Sequence, residues 1–411
     1  MLLYNVDMIK GRNRRLDGRK TKTIAFVSES ILPTQVSRML DCAAAYAQGN
    51  RSCSIRLVLK KLLSQQGIFA GCDGILADVD RQDTIDLLKA TGLPIVATTI
   101  LDAPDIPYVD FSPEATGKMA AEWFLHRRFA NFAFCGASGN LFYDRLEKAF
   151  SATLRNAGCS CISCDPRQMS FARISSNQSL VPSYLDEWIS TLPTRTAVFC
   201  IHDHRAQLVI DSCIRLGRDV PGDIAVMGRH NDTAICLCSP TAITSIDPDF
   251  HLQTCTALRL LEGLIEDPGL AKEKKSTLIP PLCVVQREST NVYPVDPPWL
   301  AKALMLIDDN LDRRITLGDL AAAADISQSA LQSAIRKAFG MSANKYILSV
   351  KMREAKRLVD HGGYSVKELA ARTGFSTQSY FTHAYTSYFG HAPSYSPSSR
   401  KNARCASRLT R

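Results

Sequence analysis

The last third of the chain carries one helical pattern twice, and this repeat constrains the fold more than any other feature. Each copy contains a short apolar stretch, a turn, and an apolar stripe that ends on Phe-Gly, at Phe339-Gly340 and again at Phe389-Gly390. The two phenylalanines are 50 residues apart. A repeat of this length indicates two similar helix pairs, each too small to bury a core alone. The pattern predicts an all-α domain with two helix-turn-helix units.

Residues that favour helix ends support both pairs. The predicted caps are Thr316, Ser327, Ser365 and Ser376, with Asp319 and Glu368 three residues after two of them. The apolar side chains expected to face inward are Leu331, Ile335, Phe339, Phe381, Tyr385 and Phe389. Gly374 suits the left-handed turn of the second pair.

A longer amphipathic segment, 344–359, separates the two pairs and predicts a single helix that joins them. Its apolar positions are Ile347, Val350, Ala355 and Leu358, and its polar positions are Lys351, Arg353, Lys356 and Arg357. One rigid helix would hold the two pairs about 34 Å apart, which is one turn of duplex DNA. Residues 299–311 predict the first helix of the same domain.

Charge is spread unevenly along the chain, whose net charge is +9. Residues 299–411 hold 17 basic and 8 acidic residues, whereas residues 23–298 carry a net charge of −5. This asymmetry favours a nucleic-acid partner for the C-terminal part. We divide the chain into a basic tail (1–22), a central domain (23–290), a proline-rich spacer (291–298), the helical domain (299–398) and a second basic tail (399–411).

The central domain alternates short β-rich runs with amphipathic helical stretches. The predicted strands are 23–27, 54–59, 74–79, 94–99, 132–135, 197–201 and 223–227. The predicted helices include 116–127, 144–156, 205–216 and 250–262. Such alternation indicates an α/β fold with parallel sheets, and about 270 residues favour two lobes with a ligand cleft between them.

The helical domain resembles the AraC/XylS family of transcription activators. The resemblance rests on Gly374-Phe375-Ser376, Ser379-Tyr380-Phe381, Tyr388-Phe389-Gly390 and Ala392-Pro393. It implies promoter double-stranded DNA as a partner, together with RNA polymerase and a second copy of the chain. The residues it implies for DNA contacts are Gln328, Ser329, Gln332, Ser333, Arg336, Lys337, Thr377, Gln378, Ser379, Thr382 and His383. These helices hold fewer arginines than is usual in the family, which predicts weak affinity or dependence on dimerisation.

The central domain resembles the LacI/GalR-type core, which is similar to periplasmic binding proteins. The resemblance rests on segments in a shared order, among them 73–76, 94–96, 109–111, 132–136, 198–203 and 223–228. A core of this kind joined to a C-terminal AraC-type domain resembles the xylose-operon regulators of bacteria. The fold expected is thus a two-lobed periplasmic-binding-protein-like core plus an all-α domain, with a monosaccharide effector in the cleft.

A sugar site needs polar groups for hydroxyls and an aromatic face for stacking. The candidates are Glu29, Asp110, Tyr143, Arg145, Asp203, His230 and Asn231, with Phe142 as an alternative to Tyr143. Two positions depart from the family pattern: Arg145 lies one residue before the usual arginine, and His230 occupies the usual aspartate position. Asp203 and Asn231 have a second interpretation as helix caps.

Other classes of protein are less well supported. Cys159, Cys161 and Cys164 lack the further ligands of a zinc site, and His202-Asp203-His204 cannot converge on one point along a strand. We find no catalytic or nucleotide-binding motif and expect neither an enzyme nor a cofactor. Fourteen cysteines, no secretion signal and no membrane span favour the cytoplasm. A ligand sensor whose helical domain has lost DNA binding is the alternative, and a sugar-processing enzyme is a weaker one.

Overall fold

The protein forms two compact units built from non-contiguous parts of the chain. The computed structural model describes residues 21–29, 33–50, 53–79, 81–100, 106–137, 140–164, 180–267, 269 and 276–393. One unit draws on Met1–Ser112 and Asp249–Ile279, and the other on Pro113–Pro248 and Pro280–Arg411. The chain passes three times from one unit to the other. The predicted basic tails lie outside the described residues, except for Thr21 and Lys22.

Strands and helices are interspersed as far as residue 285, and only helices occur from residue 298 onward, within the described ranges. The strands are β1 (Lys22–Ser28), β2 (Cys53–Leu59), β3 (Gly74–Asp78), β4 (Ile95–Ala97), β5 (Val109–Phe111), β6 (Asn131–Cys135), β7 (Cys161–Ser163), β8 (Thr196–Cys200), β9 (Ile224–Arg229), β10 (Thr244–Asp247), β11 (Thr277–Ile279) and β12 (Cys283–Val285). The helices are α1 (Pro33–Asn50), α2 (Gln82–Lys89), α3 (Pro113–His126), α4 (Leu141–Asn156), α5 (Leu180–Thr191), α6 (Asp203–Arg215), α7 (Thr233–Cys238), α8 (Phe250–Glu266), α9 (Pro298–Asp308), α10 (Leu317–Ala323), α11 (Gln328–Phe339), α12 (Ala343–His361), α13 (Val366–Arg372) and α14 (Gln378–Phe389).

The first unit contains a four-stranded parallel sheet in the order β2-β1-β3-β4. Its inner strands are continuous apolar runs, because a parallel sheet covered by helices is buried on both faces. In β1, Ile24, Ala25, Phe26 and Val27 are all buried. A separate parallel pair joins β5 to β11.

The second unit begins with a six-stranded sheet in the order β12-β10-β9-β8-β6-β7, in which only β12 runs antiparallel. The carboxyl ends of β6, β8, β9 and β10 therefore lie along one edge. Gly117 lets α3 and α4 pack in backbone contact, since a Cβ atom there would lie 2.6 Å from the carbonyl oxygen of Leu146. These sheets confirm the predicted α/β fold.

The helical part of the second unit has two small cores that share one helix. Leu331 and Ile335 are buried in the first core, which is formed by α9, α10, α11 and the first half of α12. Phe381 and Tyr385 are buried in the second core, which is formed by the rest of α12, α13 and α14. The predicted joining helix is confirmed and, at 19 residues, is about 28 Å long.

Two local predictions were wrong. Thr377, not Ser376, caps α14, because Thr377 has the extended backbone of a cap and its hydroxyl accepts from Tyr380 N at 3.2 Å. Lys351 is buried, although its position in the pattern was polar. Within the proline-rich segment, Tyr293 is buried in the first helical core. None of the helices in the described residues is long and apolar enough to cross a membrane.

Candidate functional sites

The first helix pair presents its second helix, α11, to solvent. Thr316 and Asp319 form a reciprocal capping box at α10, and Ser327 caps α11 through Ala330 N. Five of the six predicted contact residues of α11 are exposed: Gln328, Ser329, Ser333, Arg336 and Lys337. The sixth, Gln332, is half-buried, and its Oε1 accepts from Ala343 N at 3.4 Å. This helix carries two cations in its last turn.

The second pair presents α14 in the same way. Ser365 and Glu368 form the predicted capping box, and Gly374 has the expected positive φ of 65°. The predicted residues Thr377, Gln378, Ser379 and His383 are exposed and Thr382 is half-buried. The sequence analysis did not select Tyr380 and Tyr388, which are large exposed side chains on the same helix. Because α14 contains no Lys or Arg, its exposed surface is polar and aromatic rather than cationic.

A buried ammonium group connects the two helix pairs. Lys351 on α12 donates to the carbonyl oxygens of Arg313 at 2.7 Å, Thr373 at 2.9 Å and Leu311 at 3.2 Å. Leu311 and Arg313 lead into the first pair, whereas Thr373 and Gly374 form the turn of the second. The two pairs also touch directly, because a Cβ atom on Gly374 would lie 2.4 Å from the Arg313 carbonyl oxygen. These contacts fix the position of one helix pair relative to the other.

In the sheet of the second unit, several candidate ligand residues meet at the edge formed by the strand ends. Asp203 follows β8, His230 and Asn231 follow β9, and Tyr143 lies in the first turn of α4, after β6. Asn231 Nδ2 donates to Asp247 at 3.0 Å, and its Oδ1 accepts from Arg287 at 2.7 Å. The structure therefore brings these four residues to one edge.

Arg145 lies on α4 two residues after Tyr143, and its Nε donates to Glu114 on α3 at 2.8 Å. In the first unit, the Glu29 carboxylate accepts from Thr84 at 2.6 Å and forms an ion pair with Lys60. The buried Asp110 carboxylate accepts from the backbone N–H groups of Ile100 and Phe111, at 2.8 Å and 2.6 Å. These hydrogen bonds connect the residue after β1 to α2, and the loop after β4 to β5.

The helix-cap interpretation of Asp203 and Asn231 was wrong, because their neighbours do the capping. His202 Nδ1 accepts from Arg205 N and caps α6, while Asp232 caps α7. Asp203 instead accepts from Asp232 N at 2.7 Å and from Ser245 Oγ at 2.5 Å. Asn231 has a left-handed backbone with φ 50° and bridges to β10 through Ser245.

Burial raises the pKa of Asp203 to about 7, although its hydrogen bonds act in the opposite direction. The folded protein then holds this proton to a higher pH than the unfolded chain. The contribution of Asp203 to stability is complete below pH ~4 and is lost as the pH rises through ~7.

We therefore expect Asp203→Asn to flatten the dependence of unfolding free energy on pH. Between pH 5 and pH 8 the wild type should lose about 2–3 kcal/mol relative to the variant. Urea denaturation at both pH values measures the difference. Asp144→Asn, which removes an exposed carboxylate from the same unit, is the control. Parallel profiles for wild type and Asp203→Asn would contradict a raised pKa.

Comparisons with known proteins match both parts of the chain. Residues 121–290 match the periplasmic binding protein-like domain family, and residues 320–395 match a helix-turn-helix domain family. The xylose operon regulatory protein of Haemophilus influenzae is 25% identical over 332 residues, which cover 78% of this chain and 84% of the relative. Its counterpart from Escherichia coli is 23% identical over 78% of this chain and 82% of its own length. The chain is a homologue of the xylose operon regulatory proteins.

Solved structures show the same fold. The structure of a xylose-binding transcription activator superposes with a TM-score of 0.55 at 21% identity, covering 91% of this chain and 97% of that one. A LacI family regulator from Enterococcus faecium with bound ribose covers 66% of this chain and 98% of its own, with a TM-score of 0.53 at 17% identity. The two matched family models, together with the similarity to operon regulators over both parts of the chain, show that this homologue is a DNA-binding transcription regulator with a periplasmic-binding-protein-like domain and a helix-turn-helix domain.

Sequence analysis missed Arg229 as a candidate site residue. Its guanidinium lies 4.5 Å from the ring centroid of Phe142, and its Nε donates to Ile201 O at 3.0 Å. Its position directly after Gly228, at the end of β9, could have identified Arg229 from the sequence. Arg205 also escaped notice and is fully buried beside the same edge. No group of three or more His, Cys, Asp or Glu side chains placed to bind a metal ion occurs in the described part of the chain.

Proposed function

We propose that this regulator responds to a small sugar, with xylose as the first candidate, bound by its periplasmic-binding-protein-like domain. We further infer that it acts in the cytoplasm as a homodimer on promoter DNA and that it recruits RNA polymerase. The observation that carries the proposal is that relatives named for a xylose operon match this chain over both domains together. A sugar can regulate such a protein only through a difference in affinity between two conformations.

The polar groups at the sheet edge of the second unit support a sugar as the ligand. Asn231, Asp247 and Arg287 supply donors and acceptors in one hydrogen-bonded set, and Phe142 and Tyr143 supply aromatic faces. Hydroxyl groups of a monosaccharide need this mixture of planar polar groups and rings. The ligand-binding roles of all seven candidates stay predictions: Glu29, Asp110, Tyr143, Arg145, Asp203, His230 and Asn231.

The exposed polar side chains of α11 and α14 support sequence-specific recognition of DNA by the helical domain. The first turns of a recognition helix contact base edges, and Gln and Thr can donate to them or accept from them. Because α14 lacks Lys and Arg, we expect its share of binding to depend on base contacts more than on counterion release.

The DNA arm of the test is a footprint on the DNA upstream of the regulator's own gene and of neighbouring sugar genes, at low salt. The double variant Gln378→Ala, Thr382→Ala should bind at least ~10-fold more weakly, since each lost base contact costs about 1–3 kcal/mol. The matched control Thr386→Ala, Ser387→Ala changes two exposed residues later in the same helix. Its affinity for the same DNA should stay within about twofold of the wild-type affinity. Absence of specific binding by the wild type would instead leave a ligand sensor without a DNA target.

The sugar arm measures the melting temperature with xylose, ribose and glucose. A ligand bound only by the folded state stabilises it by about 2.7 kcal/mol at a hundredfold excess over Kd. We expect a saturable rise with xylose and a change in the footprint at the same concentration. A flat response to all three sugars would reject a sugar effector while leaving the DNA result intact.

A further inference from the structure

A cavity of about 370 Å³ lies in the second unit between the sheet domain and the helical domain. It is lined from one side by α3 and the β12 region and from the other by α9 and α12. Its volume suits a small metabolite, and such sites occur preferentially where domains meet. None of the residues selected as sugar ligands lines it.

Arg127 is the most constrained side chain of this cavity. Its guanidinium is 4% exposed and stacks between the rings of Trp123 and Tyr293, each with its centroid at 4.7 Å. Its Nη2 donates to Gln286 at 2.6 Å and to Asp308 at 2.8 Å. Its Nη1 is buried and has no hydrogen-bond partner among the residues that the structure describes. A buried charged N–H group of this kind is costly unless a ligand or ordered water accepts from it.

Two further donors line the same cavity. The buried indole Nε1 of Trp123 likewise has no acceptor within the described residues. Arg353 is half-buried, and no ion pair or hydrogen bond of its side chain is found in the described ranges. Three other cations of the lining are already offset, because Arg127, Lys356 and Arg357 form ion pairs with Asp308, Asp360 and Glu354. The fourth carboxylate of the lining, Glu122, pairs with Lys118, so Arg353 is the lining arginine without an ion pair in the described ranges, and it lies beside unsatisfied N–H donors.

Apolar side chains complete the lining. Leu282, Val284, Val350 and Phe389 contribute to the wall, and Val284 and Val350 are buried. The cavity thus combines donors for an anion with a surface for a hydrocarbon body.

We propose that this cavity is a second ligand site, specific for a small organic carboxylate with an aromatic or aliphatic body. The carboxylate accepts from Arg127 Nη1, Trp123 Nε1 and the Arg353 guanidinium, while the body packs against Leu282, Val284 and Phe389. Arginine is suited to this role because its planar fork matches a carboxylate. A ligand held there contacts both the sheet domain and the helical domain, and so can change how the sugar signal reaches DNA.

The test uses the full-length protein with benzoate and hexanoate as probes, and with benzyl alcohol and hexanol as their neutral counterparts. At constant ionic strength the carboxylates should raise the melting temperature saturably, and titration calorimetry should give one site per chain. The alcohols should bind at least ~10-fold more weakly, because a charge-assisted hydrogen bond contributes about 1.5–3 kcal/mol.

Arg353→Gln should weaken carboxylate binding at least ~10-fold. Arg336→Gln removes an exposed charge on α11, outside the cavity, and should leave binding unchanged. Equal binding by Arg353→Gln and wild type would overturn the proposal, as would equal affinity for acid and alcohol, or no saturable binding at all. The experiment needs neither DNA nor sugar, so its outcome is independent of the proposed function.

Discussion

Replacing Asp308 by alanine should lower the free energy of unfolding by about 3–5 kcal/mol, because it leaves a buried arginine without its counter-ion. The Arg127 and Asp308 side chains are only 5% and 11% exposed, and Tyr293 Oη also donates to the Asp308 carboxylate at 2.9 Å. Arg127 follows α3 of the sheet domain, whereas Asp308 ends α9 of the helical domain. The same substitution should therefore weaken the effect of bound sugar on DNA affinity.

Urea denaturation of Asp308→Ala, Arg127→Met and the double variant measures this coupling. The double variant should be more stable than Asp308→Ala, because removing both partners leaves no buried charge. The Arg195–Asp296 pair is the internal control: it is 51% and 69% exposed, and Asp296→Ala should leave the free energy of unfolding close to that of the wild type. A cost below about 1 kcal/mol for Asp308→Ala would show that water reaches Arg127 and compensates its charge.

The order of elements could be predicted from the sequence because periodicity is a local signal. The stripe of Leu331 and Ile335 at helical spacing placed α11, and continuous apolar runs placed β1 and β3. Short strands were missed: β5, β7, β10, β11 and β12 have three or four residues each. Strands of that length depend on pairing with distant neighbours, which no local pattern records.

The parts of the sites that escaped prediction depend on contacts between residues far apart in the chain. Lys351 sits at a position whose local pattern is polar, yet its carbonyl acceptors lie 22 to 40 residues away. Asp203 and His202 are adjacent and both can cap a helix, and only the backbone geometry decides that His202 does so. Arg127 carries no motif, and its role appears only when α3 and α9 pack together.

Replacing Lys351 by methionine should uncouple the two helix pairs and remove the dependence of DNA binding on half-site spacing. Methionine keeps the apolar stem of lysine but leaves the carbonyl oxygens of Arg313 and Thr373 without this donor. Each carbonyl left buried and unsatisfied costs about 1–3 kcal/mol, so the packing of the second pair against the first should loosen. Burial lowers the pKa of the Lys351 amine, yet the carbonyl oxygens still suit an ammonium donor.

The measurement uses the segment protected in the wild-type footprint and derivatives with one base pair added or removed between its two halves. The wild type should bind either derivative at least ~10-fold more weakly than the original segment, since two rigidly joined helix pairs fit only one spacing of the half-sites. Lys351→Met should bind all three DNAs with similar, weaker affinity and bind a single half as the wild type does. Lys356→Met changes an exposed residue on the same helix, paired with Asp360, and should retain the wild-type preference. If Lys351→Met kept that preference, the direct packing between Gly374 and Arg313 would be sufficient to fix the position of one helix pair relative to the other.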